Sequence, residues 1–382
     1  MLMRLVSRFV SLTDLDKSKI DLFSAVAFVL CAMEPTFAAS LTLIGPEVFL
    51  LCFALMAIVF MLEQRRLLFV CSVAILGITS MRGMMVSAGI CLADMLLLYL
   101  KDRKIKPIFS RLYQYLIAAV PAVAFVLWRL VDKGWITSNP VAFQESVWPD
   151  GGVVGFTSNF IHNVVVLIRW LLDFGRIVPV LLTLWLLSRG RKQWVGNKTV
   201  SELLMLTFIP TSVVIVTSLL IHNTMGHRYF TITYVMVVLL FSYLVLSNRQ
   251  KHRAWLLTLV AVAFLGGDLM VYPDNISQGW DASLAHIHYW KVRQQALDYM
   301  EENQITPDQI CKYGFGNSND DSDLGGDVRR YKITNDCPYA MCSNIDNLPD
   351  NDLAYLEKEY TRLKRFQKMG VWIDLLKRNS QD

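Results

Sequence analysis

Charge is scarce in this chain, and so are the signatures by which many soluble enzymes can be read. Asp, Glu, Lys and Arg make up 18% of the 382 residues, while 54% are hydrophobic. No phosphate-cradling glycine loop, dinucleotide fingerprint or zinc-ligand spacing occurs, so the common nucleotide-dependent and zinc-dependent classes find no support. His286-Ile-His288 does not supply a metal site either, because residues two apart on a helix point in different directions and no third ligand is evident. Internal repeats and low-complexity runs are missing. Met1 to Leu12 is amphipathic and lacks a small-residue cleavage site, so no cleavable signal peptide is expected.

What the chain does have is apolar sequence in long blocks. These blocks predict a polytopic α-helical membrane protein with about nine spans, at 22–44, 47–62, 67–81, 84–100, 112–131, 162–188, 203–221, 230–247 and 255–272. Several are shorter than the roughly 20 residues that a straight crossing needs. The first either stops at Glu34 or continues past Pro35 as a kinked helix. Composition shifts after Tyr272-Pro273, which divides the chain into a membrane domain at 1–272 and a small α+β domain at 273–382. In the latter, 283–303 and 352–368 read as amphipathic helices. Cys311–Phe315, Tyr339–Ser343 and Val371–Leu376 read as strands, with a turn-rich stretch from Asn317 to Gly326.

The net charge of +5 hides an asymmetry. Residues 273–382 hold 13 Lys and Arg against 18 Asp and Glu, which leaves 1–272 at +10. That basic excess lies in alternate connections. The N-terminus, Glu63–Arg66, Lys101–Arg111, Arg189–Lys198 and Asn248–Arg253 together hold 18 basic residues, whereas the other connections hold Arg82, Lys133 and Arg228. Such a bias reads as topology rather than nucleic-acid binding. It predicts a multi-pass protein of the inner, cytoplasmic membrane, with a cytoplasmic N-terminus and an extracytoplasmic C-terminal domain. Cys31, Cys52, Cys71 and Cys91 fall in apolar spans as packing residues. Of Cys311, Cys337 and Cys342 in the tail, two could pair outside the cytoplasm, and spacing does not say which two.

Within this frame the stretch from Glu34 to Glu47 stands out. It sets two carboxylates thirteen residues apart between apolar runs, where an acid is costly unless it meets water, a partner or a cavity. Interfacial helix ends would accommodate both. The alternative is that they line an outward cavity as general base, or position an acceptor or a metal. The topology puts Arg82, in Thr79-Ser-Met-Arg-Gly, on the same face, where it is either a snorkelling arginine or an anion ligand. His222-Asn-Thr-Met-Gly-His-Arg-Tyr also lies there, and His222, His227, Arg228 and Tyr229 suit an anionic headgroup. Trp135 and Trp148 in the long loop 132–160 read as interfacial anchors. Arg169, Asp173 and Arg176 are spaced to share one helix face inside the sixth span, as a structural ion-pair cluster. Asp94 in the fourth span reads equally as a helix–helix hydrogen bond or a transport residue.

Together these features resemble the GT-C superfamily of membrane glycosyltransferases, especially the protein O-mannosyltransferase and aminoarabinose-transferase type. An acid ends one span and another opens the next, a Ser-Met-Arg-Gly turn follows, and an outer His-Arg-Tyr opens a late span before a closing α+β domain. Gln278-Gly-Trp-Asp281 is similar to a stretch in bacterial members. The resemblance implies transfer of a sugar, with inversion, from a polyprenyl-phosphate donor to a glycan, lipid or protein acceptor on the outer face. Glu47 and Glu34 would be the acidic catalytic residues, with Arg82, His222, His227, Arg228 and Tyr229 on the substrate. Membrane lipids are partners and nucleic acid is not. No cofactor is specified, and a divalent metal stays an open alternative. Family members usually carry an upstream outer loop with a principal catalytic aspartate, so the resemblance implies either an incomplete copy lacking N-terminal spans or missing spans supplied by another polypeptide. Two other readings are a transporter or flippase working through Asp94, Arg169, Asp173 and Arg176, and a non-catalytic scaffold whose acidic tail binds a partner.

Overall fold

The computed structural model describes residues 1–382 except 14, 44–45, 135–150, 221–225, 248–251, 275, 277, 314–336, 347, 349 and 380–382. The chain forms two compact units, Met1–Gly267 and Asp268–Asp382, divided a few residues before the shift in composition.

The first unit is helical. Its helices are α1 (Leu2–Val10), α2 (Lys17–Ala32), α3 (Pro35–Thr42), α4 (Glu47–Leu62), α5 (Arg66–Thr79), α6 (Met81–Asp102) and α7 (Lys106–Lys133). These are followed by α8 (Gly152–Leu172), α9 (Ile177–Arg189), α10 (Arg191–Trp194), α11 (Lys198–Leu220), α12 (Thr231–Ser247) and α13 (Arg253–Asp268). Among the described residues five helices are long and apolar enough to cross a membrane, or six if the bent pair α2–α3 counts as one span. The helices α4, α5 and α9 are apolar but shorter, at 16, 14 and 13 residues. This is the composition of a multi-pass membrane protein. The central helix is α12, buried nearly end to end and packed by α2, α4, α9 and α11. By contrast α7 turns Leu116, Val120 and Val131 outward, as a helix facing lipid would.

Three breaks in this bundle position the side chains of interest. At Glu34–Pro35 the axis bends by 73°. Proline cannot donate to the helix ladder and drives the residue before it out of the helical region, so Glu34 is extended at φ −60°, ψ 125°. Between α5 and α6 the connection is Ser80 alone, whose hydroxyl accepts from Gly83 N at 3.1 Å and caps the new helix. Arg82 therefore lies in the first turn of α6 rather than in a loop.

The third break corrects the expected sixth span. Residues 162–188 are not one helix; α8 ends at Leu172 and α9 begins at Ile177. Phe174 and Gly175 take φ values of 49° and 78°. A Cβ on Gly175 would lie 2.1 Å from the Ala263 carbonyl oxygen, and one on Gly267 would lie 2.1 Å from that of Phe174. The backbone at the break thus crosses α13 with no side chain between them, which only glycine permits. Regular i, i+3, i+4 spacing could not reveal this, because tertiary packing rather than local pattern opens the helix.

In the second unit α14 (Ile287–Glu302) and α15 (Asp350–Glu359) accompany β1 (Ile310–Lys312), β2 (Tyr339–Ser343), β3 (Tyr360–Lys368) and β4 (Val371–Arg378). The sheet order is β1-β2-β4-β3, with β1 parallel to β2 and the other pairs antiparallel. This α+β unit differs from expectation in one place. The predicted helix 352–368 is helical only to Glu359, then turns into β3, which hairpins onto β4 through Met369-Gly370, both at positive φ. Gly314, Phe315 and the stretch Asn317–Gly326 lie outside the described residues. Cys311 pairs with Cys337 in a disulfide, and Cys342 stays free and buried, its thiol pushed up to about 12 by burial.

Candidate functional site

Two ion-paired groups meet at the short 3-10 turn His227–Phe230 that leads into α12. The first is wholly interior. Glu34 is 0% exposed. Its Oε2 accepts from Phe37 N at 2.7 Å and caps α3, while Oε1 accepts from Arg176 Nε at 2.7 Å. Arg176 also donates to Asp173 Oδ1 at 2.8 Å and to Thr36 Oγ1 at 2.5 Å, and its guanidinium lies 4.0 Å from the centre of the Tyr234 ring. The other oxygen of Asp173 meets His227 Nε2 at 3.1 Å. His227 in turn packs against the rings of Trp170 and Phe174. The result is a continuous chain, Glu34–Arg176–Asp173–His227, held by α3, the α8–α9 break and the 3-10 turn.

The second group is built on helix N-termini. Glu47 opens α4, where the positive end of the helix favours an acid. Arg82 occupies the first turn of α6, where that same helix polarity disfavours a cation. Glu47 offsets this, since Arg82 Nη2 lies 2.6 Å from Glu47 Oε1. Arg228 Nη1 reaches the same oxygen at 3.4 Å. Tyr229 places its ring 4.7 Å from the Arg82 guanidinium. Both arginines approach Oε1. Arg82 Nη1 is buried and has no hydrogen-bond partner among them. A buried guanidinium nitrogen without an acceptor is costly, so this corner can take up a further hydrogen-bond acceptor.

Glu34, Glu47, Arg82, His227, Arg228 and Tyr229 converge, while His222 lies outside the described residues, as do Trp135 and Trp148. Asp173 and Arg176 join this site rather than forming a separate cluster within a continuous sixth span. Asp94 does not join it. Twelve residues beyond Arg82, about 18 Å along α6, it bonds Arg66 at 2.9 Å, Arg111 at 3.0 Å and the Tyr115 hydroxyl at 2.7 Å. Sequence reading passed over Thr36, Trp170, Phe174 and Tyr234. Tyr234 carried a weak signal, seven residues after His227 and so two turns along the same face. Among the described residues no three His, Cys, Asp or Glu side chains are grouped to hold a metal.

In comparisons with known proteins, no protein-family model, no curated protein and no solved structure matches this chain.

Proposed function

We propose that this protein is a multi-pass membrane glycosyltransferase of the GT-C type, moving a sugar from a polyprenyl-phosphate donor to a glycan, lipid or protein acceptor. In this reading about nine segments cross the inner membrane, the N-terminus is cytoplasmic and the C-terminal unit is extracytoplasmic. The Cys311–Cys337 disulfide supports that outer placement, since such bonds persist in oxidising compartments.

The observation that carries the reading is the Glu47–Arg82 pair, in which one buried guanidinium nitrogen of Arg82 has no hydrogen-bond partner among the described residues. Arg82 can hold Glu47 through Nη2 and a phosphate oxygen through Nη1 at the same time. The acceptor oxygen attacks the anomeric carbon, the bond from that carbon to the phosphate oxygen breaks, and its electron pair leaves on the phosphate. Glu47 takes the proton released by the acceptor hydroxyl. Arg82 and Arg228 neutralise the charge growing on the leaving phosphate. Glu34, fully enclosed and doubly bonded, positions His227 through Arg176 and Asp173 instead of touching substrate. A transport path through Asp94, Arg169, Asp173 and Arg176 gains nothing from this geometry, because Asp94 bonds to partners different from those of Asp173 and Arg176.

The test is sugar transfer in proteoliposomes containing the full-length chain, supplied with polyprenyl-phosphate hexose and pentose donors. Glu47→Gln should lose transfer while eluting as a folded species. Equal turnover in wild type and variant would remove Glu47 from the chemistry.

A further inference from the structure

A separate feature lies between α5, α6 and α7, away from the residues assigned to sugar transfer. Here a cleft of about 510 Å³ is lined almost wholly by apolar and small side chains, among them Gly77, Ala88, Ala119 and Ala122. Along α7 it runs from Tyr115 to Leu127, about 18 Å at 1.5 Å per residue, slightly more than the roughly 15 Å of hydrocarbon in one leaflet. Its walls lack bulk where Gly77 faces Ala122, and Ala88 and Ala119 are exposed along it.

One end of this cleft is basic. Tyr115 lines it and also bonds Asp94, which two guanidinium groups share. Arg66 and Arg111 against one carboxylate leave a net positive charge, and both keep partly exposed side chains, 22% and 17%. The short connection beside them adds exposed Lys101, Arg103, Lys104 and Lys106 against Asp102. An apolar groove of leaflet length with a cationic rim at one end matches a lipid with an anionic head. A basic pocket between membrane helices is where such headgroups are held.

We propose that this cleft binds one acidic phospholipid of the bilayer, with an acyl chain along α7 and its phosphate on Arg66 and Arg111. The inference does not depend on the glycosyltransferase reading. It would make an anionic leaflet part of the folded unit, joining α5, α6 and α7 where their own side chains leave space.

The test is native mass spectrometry of the delipidated full-length protein in detergent, titrated with dioleoyl-phosphatidylglycerol or dioleoyl-phosphatidylcholine. One phosphatidylglycerol should bind at least tenfold more tightly than phosphatidylcholine, and glycerol 3-phosphate should not displace it. Removing Arg66 or Arg111 alone risks misfolding, so the rim is neutralised as a set with Arg66→Gln, Asp94→Asn and Arg111→Gln. The groove is filled independently with Ala88→Phe and Ala119→Trp at exposed positions. Each set should cost at least tenfold in phosphatidylglycerol affinity. Equal affinity for the two lipids, displacement by glycerol 3-phosphate, or undiminished binding in the filled variant would overturn the proposal.

Discussion

Two places along α6 use similar side chains differently, the first turn at Arg82 and the middle at Asp94. At the first, Glu47 pairs with two arginines and Tyr229 packs on one of them; at the second, two arginines and the Tyr115 hydroxyl all bond Asp94. The difference is saturation. Asp94 takes hydrogen bonds on both oxygens, and its arginines are further tied to Gln64. Glu47 receives both arginines on one oxygen, and Arg82 keeps a buried nitrogen without a partner among the described residues. Similar residue types therefore surround a fully bonded carboxylate in one place and leave a buried guanidinium nitrogen unmet in the other. A search by residue type alone would rank the two equally; counting unmet hydrogen bonds separates them.

That contrast can be broken most sharply at Glu47. Glu47→Gln should lower turnover with a polyprenyl-phosphate donor by about 10²–10⁴, the usual loss for a missing general base, while Asp94→Asn should leave turnover per folded molecule unchanged. A large loss of specific activity in Asp94→Asn would mean that the two places act together. Next in size is Arg82→Gln, expected to cost about 10²–10³ in turnover by removing charge from the leaving phosphate. Restoration by Arg82→Lys to near wild-type rate would show that bidentate geometry is unnecessary there.

Stability should sort the carboxylates differently. Glu34→Gln removes one of the two carboxylates that pair with the wholly buried Arg176 guanidinium and should cost about 3 kcal/mol, read as a large drop in melting temperature in detergent. Asp94→Asn should cost less, because Arg66 and Arg111 are partly exposed and keep Gln64. Equal drops would indicate that the Asp94 brace is as enclosed as the Glu34 chain. The smallest effect belongs to the C-terminal unit. Burial holds the His286 imidazole below its ordinary 6.5, so the unfolded chain takes up the proton first. That contribution is complete above about pH 6.5 and is lost as pH falls from there through the lower folded-state value. Protection of α14 amides, corrected for the intrinsic exchange rate, should fall as pH drops below that point, and His286→Gln should flatten the response.

Much of this architecture was legible beforehand. The apolar blocks located most helices, the composition shift located the second unit, and the cost of intramembrane charge pointed to Glu34, Glu47 and Arg82. The α8–α9 break was not legible, because its cause is a backbone crossing at Gly175 and Gly267, and residues 92 positions apart leave no local trace. The helix-to-strand change at Glu359–Tyr360 was missed for a related reason. Tyr360–Lys368 is polar enough to pass for a helix face, and pairing with β4 rather than its own propensity decides its state.

By itself the sequence determined which residues could not rest in hydrocarbon unaided, since desolvation of a charge depends on its neighbours being apolar, and those neighbours are written in the chain. Only the tertiary structure decided which charge meets which. It joined Glu34 to Arg176 across 142 positions and left a buried nitrogen of Arg82 unmet among the described residues. Hydrogen bonds are short and directional, so whether a carboxylate is closed or open is fixed by the placement of helices and not by the order of residues along them.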